Sequence, residues 1–212
     1  MAHDSSTKEV YNKIISSYCK NIKSEFLDHP YYERFLSYLR VGQKVLDAGA
    51  GTASIANEMM KLHGLKIVAI DNSKEMVKLG KKKYPSLNYR EMDMRNLKFP
   101  SSIFHAIIAN YSLIHILEYD VESTIKEFAR VLKSHGYLYL ALQSPITPKQ
   151  KDGYYPVRYK KGTSLFINLF RQEEIVLYLK KAGFKILRID MRKPDKKTEF
   201  PFNKLFMIAQ KK

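Results

Sequence analysis

Short apolar runs and longer amphipathic stretches alternate through the middle of the chain. KVLDAGA (44–50) has the continuous apolar character of a buried strand, TASIANEMMKLHG (52–64) has helical spacing and a stop at Gly64, and LKIVAID (65–71) predicts a second buried strand. SKEMVKLGKKKY (73–84) predicts a helix with Ser73 as its N-cap and lysines in its last turn, complementing the helix dipole. A short strand near LNYREM (87–92), a strand at IFHAIIAN (103–110), a helix over VESTIKEFARVLKSHG (121–136) and a strand at YLYLALQ (137–143) continue the alternation. Apolar strands separated by amphipathic helices imply a parallel sheet covered on both faces.

Both ends depart from this rhythm. A helix over RQEEIVLYLKKAG (171–183) leads to FKILRID (184–190) and LFMIAQKK (205–212), two strands with no helix between them, which are most simply antiparallel neighbours at one edge of the sheet. Residues 5–40 pattern as two helices meeting at Pro30, within a helical cap over residues 1–40. QSPITPKQKDGYYPVRYKKGT (143–163) carries the breakers of a long loop, and residues 144–170 read as an inserted lid. At 212 residues, with no repeat or linker, the chain reads as one domain over residues 1–212.

Charge changes the picture more than composition does. The net charge of +16 (37 − 21) divides unevenly, with 7 basic and 7 acidic groups in residues 1–60, 14 and 8 in residues 61–150, and 16 and 6 in residues 151–212. A basic last third can steer an acidic ligand or nucleic acid, yet no nucleic-acid-binding motif accompanies it. A single cysteine, Cys19, forms no internal disulfide, and no His, Cys and carboxylate set has metal-ligand spacing, so no metal is expected. MAHDSSTKEV lacks the apolar core of a signal peptide, and the apolar run 103–117 is too short for a bilayer. A soluble, cytoplasmic location without membrane contact is the expectation.

The most informative stretch is VLDAGAGTASIA (45–56). A strand ending in Asp47 that turns through Gly49 and Gly51 into a helix lets bare backbone approach a ligand. Asp71 follows at the end of the next strand, 20 residues beyond Gly51, where a carboxylate can accept both hydroxyls of a ribose. Ser54 stands where the third glycine of a dinucleotide site would be, and Asp47 would repel a pyrophosphate. S-adenosylmethionine, which carries an ammonium, a sulfonium and an adenosine, suits Asp47 at its amino-acid end and Asp71 at its ribose.

With these residues the chain resembles the class I S-adenosylmethionine-dependent methyltransferases of the small single-domain kind, over roughly residues 9–212. KVLDAGAGTASIA is similar to the family's D-x-G-x-G-x-G turn, IVAIDNSKEM (67–76) to its second motif and REMDMRNLKFP (90–100) to its third. FHAIIANYSLIHI (104–116) is similar to the fourth-strand motif, VLKSHGYLYLAL (131–142) to the fifth, and AGFKILRID with LFMIAQKK to the final hairpin. The resemblance implies an α/β fold with a Rossmann-like, seven-stranded, mostly parallel sheet, helices on both faces and a final antiparallel hairpin strand. It implies S-adenosylmethionine as cofactor and S-adenosylhomocysteine as product. By the same resemblance, Asn72 and Met76 lie by the nucleoside, Asp93 faces the adenine amino group with Met94 beside the ring, and Asn110 joins the cofactor contacts. Tyr11 and Tyr18 share one face of the first helix, which closes over the cofactor, with Tyr18 the expected contact. The third glycine of the turn is Ala53 here, expected to be already helical, where alanine is the better residue. His105 replaces an acid common in relatives and is read as structural.

His115, just past a strand end on the ligand side, is the candidate catalytic base, with a typical pKa near 6.5. Tyr111 and Ser112 stand beside it as weaker candidates. NYSL (110–113) lacks both prolines of the N-P-P-Y motif of enzymes that methylate nucleic-acid amino groups. Residues 144–170 hold five basic groups and one acid, together with Tyr154, Tyr155 and Tyr159, so an anionic or aromatic acceptor could dock there. The expected function is methyl transfer to a small molecule by a monomer or homodimer. Methylation of RNA or protein, which the charge motivates, and cofactor binding without catalysis are the competing readings.

Overall fold

A computed structural model of the chain describes residues 4–21, 25–157 and 161–212, and the side chains of 7–15, 28–157 and 161–212. Two helices, α1 (Asp4–Asn21) and α2 (Glu25–Leu36), precede β1 (Lys44–Ala48), α3 (Ser54–His63), β2 (Lys66–Asp71), α4 (Lys74–Lys83), β3 (Asn88–Glu91) and β4 (Phe104–Asn110). A 3-10 turn (Leu113–His115) and α5 (Glu118–Val131) lead into the long β5 (Leu132–Ser144), a hairpin of β6 (Gly153–Pro156) and β7 (Ser164–Ile167), then α6 (Gln172–Lys181), β8 (Phe184–Arg192) and β9 (Asn203–Lys211).

Seven strands form one sheet in the order β3-β2-β1-β4-β5-β9-β8. β3, β2, β1, β4 and β5 are parallel, and β9 runs antiparallel between β5 and β8. This is the predicted fold class, with the last strand inserted beside β5 and not at the rim. Alternation along the strands divides the core in two. Leu46, Ile107, Leu140 and Met207 meet α5 and α6 on one face, while Val45, Ile108, Tyr139 and Phe206 meet α2, α3 and α4 on the other. Among the described residues no helix is long and apolar enough to cross a membrane.

Three boundaries differ from expectation. Pro30 lies inside α2 and does not mark a junction between helices. The predicted helix 121–136 begins at Glu118 and ends at Val131, because Leu132 already pairs with Phe104 and the β4–β5 ladder then bulges. Gly136 is therefore no helix stop: a Cβ there would come within 2.9 Å of the Lys133 carbonyl and 3.0 Å of the His105 carbonyl, a gap that only glycine fits without a shift. The predicted lid loop 144–170 contains ordered structure, the antiparallel β6–β7 hairpin, which packs Val157 and Leu165 against Ile14 of α1.

The N-terminal cap is anchored by buried charge. The Arg192 guanidinium, at the end of β8, donates to Asp28 Oδ1 of α2 (Nε, 2.8 Å) and grips Glu199 with two bonds of 2.8 and 2.7 Å. Asp28 and Glu199 are 4% and 6% exposed. The Tyr111 hydroxyl donates to Asp28 Oδ2 at 2.8 Å, so the end of β4 joins the same network. Burial pushes the Asp28 carboxyl up against the opposing pull of Arg192 and Tyr111. Arg192→Met leaves two buried carboxylates without their cation. It is expected to cost about 3–5 kcal/mol in urea unfolding.

Candidate functional site

The turn after β1 is built from backbone constraints. Gly49 (φ +79°) and Ala50 both donate their amides to the Ile70 carbonyl at 2.9 Å, folding the turn over the end of β2. A Cβ on Gly49 would lie 2.3 Å from Ser112 Cβ and 3.1 Å from Met94 Cε, so only glycine fits between them. Ser112 is held there by donating to the Ala48 carbonyl at 2.6 Å. Gly51 (φ +56°) is different: a Cβ there would meet no atom within 4 Å, so the space beside it is open. That is the cradle of bare backbone that a ligand at this turn requires.

Ala53 overturns its expectation. It is not helical but left-handed, at φ 60° and ψ 23°, and α3 begins only at Ser54. The chain thus keeps a glycine conformation at a residue with a Cβ, at a cost of about 1–2 kcal/mol. The alanine is fully buried, and a Cβ added at Gly80 would meet its methyl at 3.4 Å.

Asp71 joins the two turns. Its Oδ2 accepts the Gly51 amide at 2.9 Å and its Oδ1 accepts the Ser73 amide at 2.8 Å. Burial pushes its pKa up, and these backbone hydrogen bonds pull it back. The Asn72 amide adds to that pull, and the carboxylate stands at the end of β2, where a ribose hydroxyl can reach it. Ser73 caps α4 as predicted, accepting the Met76 amide at 3.2 Å, and donates to Asn12 Oδ1 of α1. Met76 is 1% exposed, and Asn72 stands between Asp71 and the cap. The Tyr89 hydroxyl donates to the Gly51 carbonyl at 2.6 Å and fixes the turn from below.

Asp47 is buried at the end of β1. Its register partner on β4 is Ile108, so Asn110 lies two residues further on the same face. Asp93 is engaged elsewhere: Arg95 binds it through its main-chain amide (2.9 Å) and its guanidinium (2.6 Å), and also reaches Asp120 at 3.1 Å. Tyr18 lies on α1, and its side chain falls outside the described residues.

His115 is held from both sides. Its Nδ1 faces the Phe166 carbonyl of β7 at 2.8 Å, which requires the proton to sit on Nδ1. Its Nε2 therefore accepts from the Tyr11 hydroxyl of α1 at 2.9 Å, with the two rings edge to face at 5.4 Å. The expected pKa near 6.5 does not hold, because burial lowers it to about 4. The imidazole is neutral at physiological pH, and cap, 3-10 turn and hairpin meet on it. Tyr89 carries no signal in the sequence that marks it as a site residue, since it acts through a contact distant along the chain, and the sequence places Tyr11 on the ligand face of α1 without marking His115 as its partner.

Residues 45–136 match the family model described as a methyltransferase domain. The demethylmenaquinone methyltransferase of Chlorobaculum parvum is 33% identical over 106 residues, covering 50% of this chain and 42% of that protein. The ubiquinone/menaquinone biosynthesis C-methyltransferase of Cronobacter sakazakii is 29% identical over 142 residues, covering 61% of this chain and 56% of that protein. The chain spans about half the length of these curated relatives. Among solved structures, a Methanosarcina mazei S-adenosylmethionine-dependent methyltransferase superposes with TM-score 0.72 at 23% identity, covering 82% of this chain and 95% of that one. Burkholderia thailandensis 1,6-didemethyltoxoflavin-N1-methyltransferase, with its substrate and S-adenosylhomocysteine bound, gives TM-score 0.73 at 18% identity, covering 100% and 91%. Residues 45–136 thus match a methyltransferase domain, and the strand order is shared with S-adenosylmethionine-dependent methyltransferases of known structure.

Two outcomes follow from this geometry. A Cβ at Gly80 would lie 2.4 Å from the Tyr89 ring, so Gly80→Ala must move the residue that holds Gly51. It should cost about 1–3 kcal/mol in thermal unfolding and weaken S-adenosylhomocysteine binding in calorimetry. The second outcome concerns His115. The unfolded chain takes up its proton below an ordinary histidine pKa of about 6.5, while the folded chain waits until about 4. Stability is therefore lost as pH falls through that window, by roughly 3 kcal/mol. Urea titrations at several pH values should show a flatter pH dependence for His115→Gln than for the wild type.

Proposed function

We propose that the protein transfers the methyl group of S-adenosylmethionine to a small-molecule acceptor seated under α1 and the β6–β7 hairpin. The observation that carries this reading is the Asp71 carboxylate, held between the Gly51 and Ser73 amides at the edge of an open glycine turn. The residues present fit the cofactor: Gly49 and Gly51 offer bare backbone, Asp71 accepts the ribose, and Asp47 answers the ammonium. Asn72, Met76, Asp93, Met94 and Asn110 are the further residues assigned to the nucleoside and the amino-acid end. When bound, the cofactor supplies an electrophilic methyl group on a sulfonium. The chain's own work is to position the acceptor and exclude water.

His115 is the proton acceptor in this reading, working through Tyr11. As the Tyr11 hydroxyl takes the acceptor's proton, it passes its own to the His115 Nε2 lone pair, and Nδ1 keeps its hydrogen bond to Phe166. The depressed basicity of His115 suits an acidic acceptor, such as a ring hydroxyl or an anion that arrives with negative charge and draws the imidazole pKa back up. The named relatives are a demethylmenaquinone methyltransferase, a C-methyltransferase of ubiquinone/menaquinone biosynthesis and a 1,6-didemethyltoxoflavin-N1-methyltransferase, which supports a ring compound as the acceptor class. The basic residues of the hairpin region suit the same acceptors.

Calorimetric titration with S-adenosylmethionine tests the cofactor assignment. Asp71→Ala removes two charge-assisted acceptors and should weaken binding by about 100-fold or more. His115→Gln should leave that affinity within threefold while lowering kcat on a hydroxylated ring acceptor by about 100-fold or more. Wild-type protein that does not bind S-adenosylmethionine, or an Asp71→Ala variant that binds it as well as wild type, overturns the proposal.

A further inference from the structure

Away from the glycine turn, α2 and α3 bring together a polar group that methyl transfer does not use. His29 and Glu33 stand one turn apart on α2, and Glu58 and His63 belong to α3. His29 Nε2 lies 3.3 Å from Glu58 Oε1 and 3.5 Å from Glu33 Oε1, and His63 Nε2 lies 3.4 Å from the same Glu33 oxygen. One donor atom from each of His29, Glu33 and Glu58 falls within 4.8 Å of the others.

These spacings are informative. Direct charge-assisted hydrogen bonds between such groups run about 2.7–2.9 Å, so the contacts are loose for ion pairs. Donors about 2.0–2.1 Å from a tetrahedral zinc ion stand about 3.3–3.4 Å from one another, which is the observed separation of the nearest pairs. The site also has outer support. The Tyr32 hydroxyl donates to Glu58 Oε1, and the Tyr32 ring meets the His29 ring edge to face at 4.9 Å. Groups that orient metal-bound imidazoles and carboxylates in this way tune affinity as the ligands do. The donors are accessible, with side chains 29–45% exposed, and two carboxylates stand beside the imidazoles in a chain of net charge +16.

We propose that His29, Glu33 and Glu58 bind a divalent transition-metal ion, zinc by preference, with His63 or a water in the fourth position. The ion would join α2 of the cap to α3, the helix that starts at the glycine turn. Sequence alone shows no such cluster, because each helix contributes only half of the donors.

The test uses the full chain, stripped with chelator and desalted, then titrated with zinc chloride in calorimetry and with cobalt chloride in visible absorption. A single site of micromolar affinity or better, an intense tetrahedral cobalt spectrum and a raised thermal midpoint with zinc are expected. His29→Ala and Glu58→Gln should each weaken zinc at least tenfold, and Tyr32→Phe by less. His135→Ala, an exposed histidine on β5, should bind as wild type does. All four positions can be substituted separately, so misfolding of one variant, seen by circular dichroism, leaves the others to decide. Absence of zinc binding, or binding that survives both His29→Ala and Glu58→Gln, overturns the proposal.

Discussion

One carboxylate organises the ligand edge of this fold. Asp71 lies at the end of β2, yet it binds the amide of Gly51 in the turn that follows β1 and the amide of Ser73 at the start of α4. Two loops that leave neighbouring parallel strands are thereby locked to each other through a single side chain. Ser73 extends the lock to α1 through Asn12, and the Tyr89 hydroxyl closes it from β3. Burial opposes the charge of Asp71, and the amides that surround it keep the carboxylate in place.

The parts that could be read from sequence are those where one local signal decides the outcome. Ser73 caps α4, Gly64 closes α3 in a left-handed conformation, and the apolar runs at β1, β2 and β4 pair as a parallel sheet. The Gly49 and Gly51 turn was legible for the same reason. What escaped depends on contacts between distant segments. Helix α5 gives way to β5 early because Phe104 recruits Leu132 into the sheet, which helical periodicity cannot register. The hairpin inside residues 144–170 exists because Val157 and Leu165 find Ile14. Tyr11 and His115 meet across 104 residues of chain, so neither could be assigned its partner in advance.

Ala53 and His115 show a shared principle. Each sits in a state it would not choose alone: a left-handed backbone for a residue with a Cβ, and a buried imidazole with its basicity suppressed. Both states are held by neighbours that are themselves fixed, the Gly80 and Tyr89 packing in the first case and the Tyr11 and Phe166 hydrogen bonds in the second. Strain of this kind persists only where the surroundings over-determine it, and it concentrates where a protein handles its ligand.

The place of β9 has a consequence for how the chain is made. β5 is thirteen residues long, and most of its free edge has one partner, a strand that follows it by some sixty residues and pairs from Tyr137↔Gln210 to Ser144↔Asn203. β8 is synthesised before β9 but attaches only to it. Until the ribosome has released β9, a long apolar strand stays open on a half-built sheet and β8 has nowhere to dock. Such an edge is a template for pairing with another chain. The nascent protein therefore depends on its last strand to withdraw that edge, and chaperone engagement should be concentrated in the interval between the emergence of β5 and that of β9.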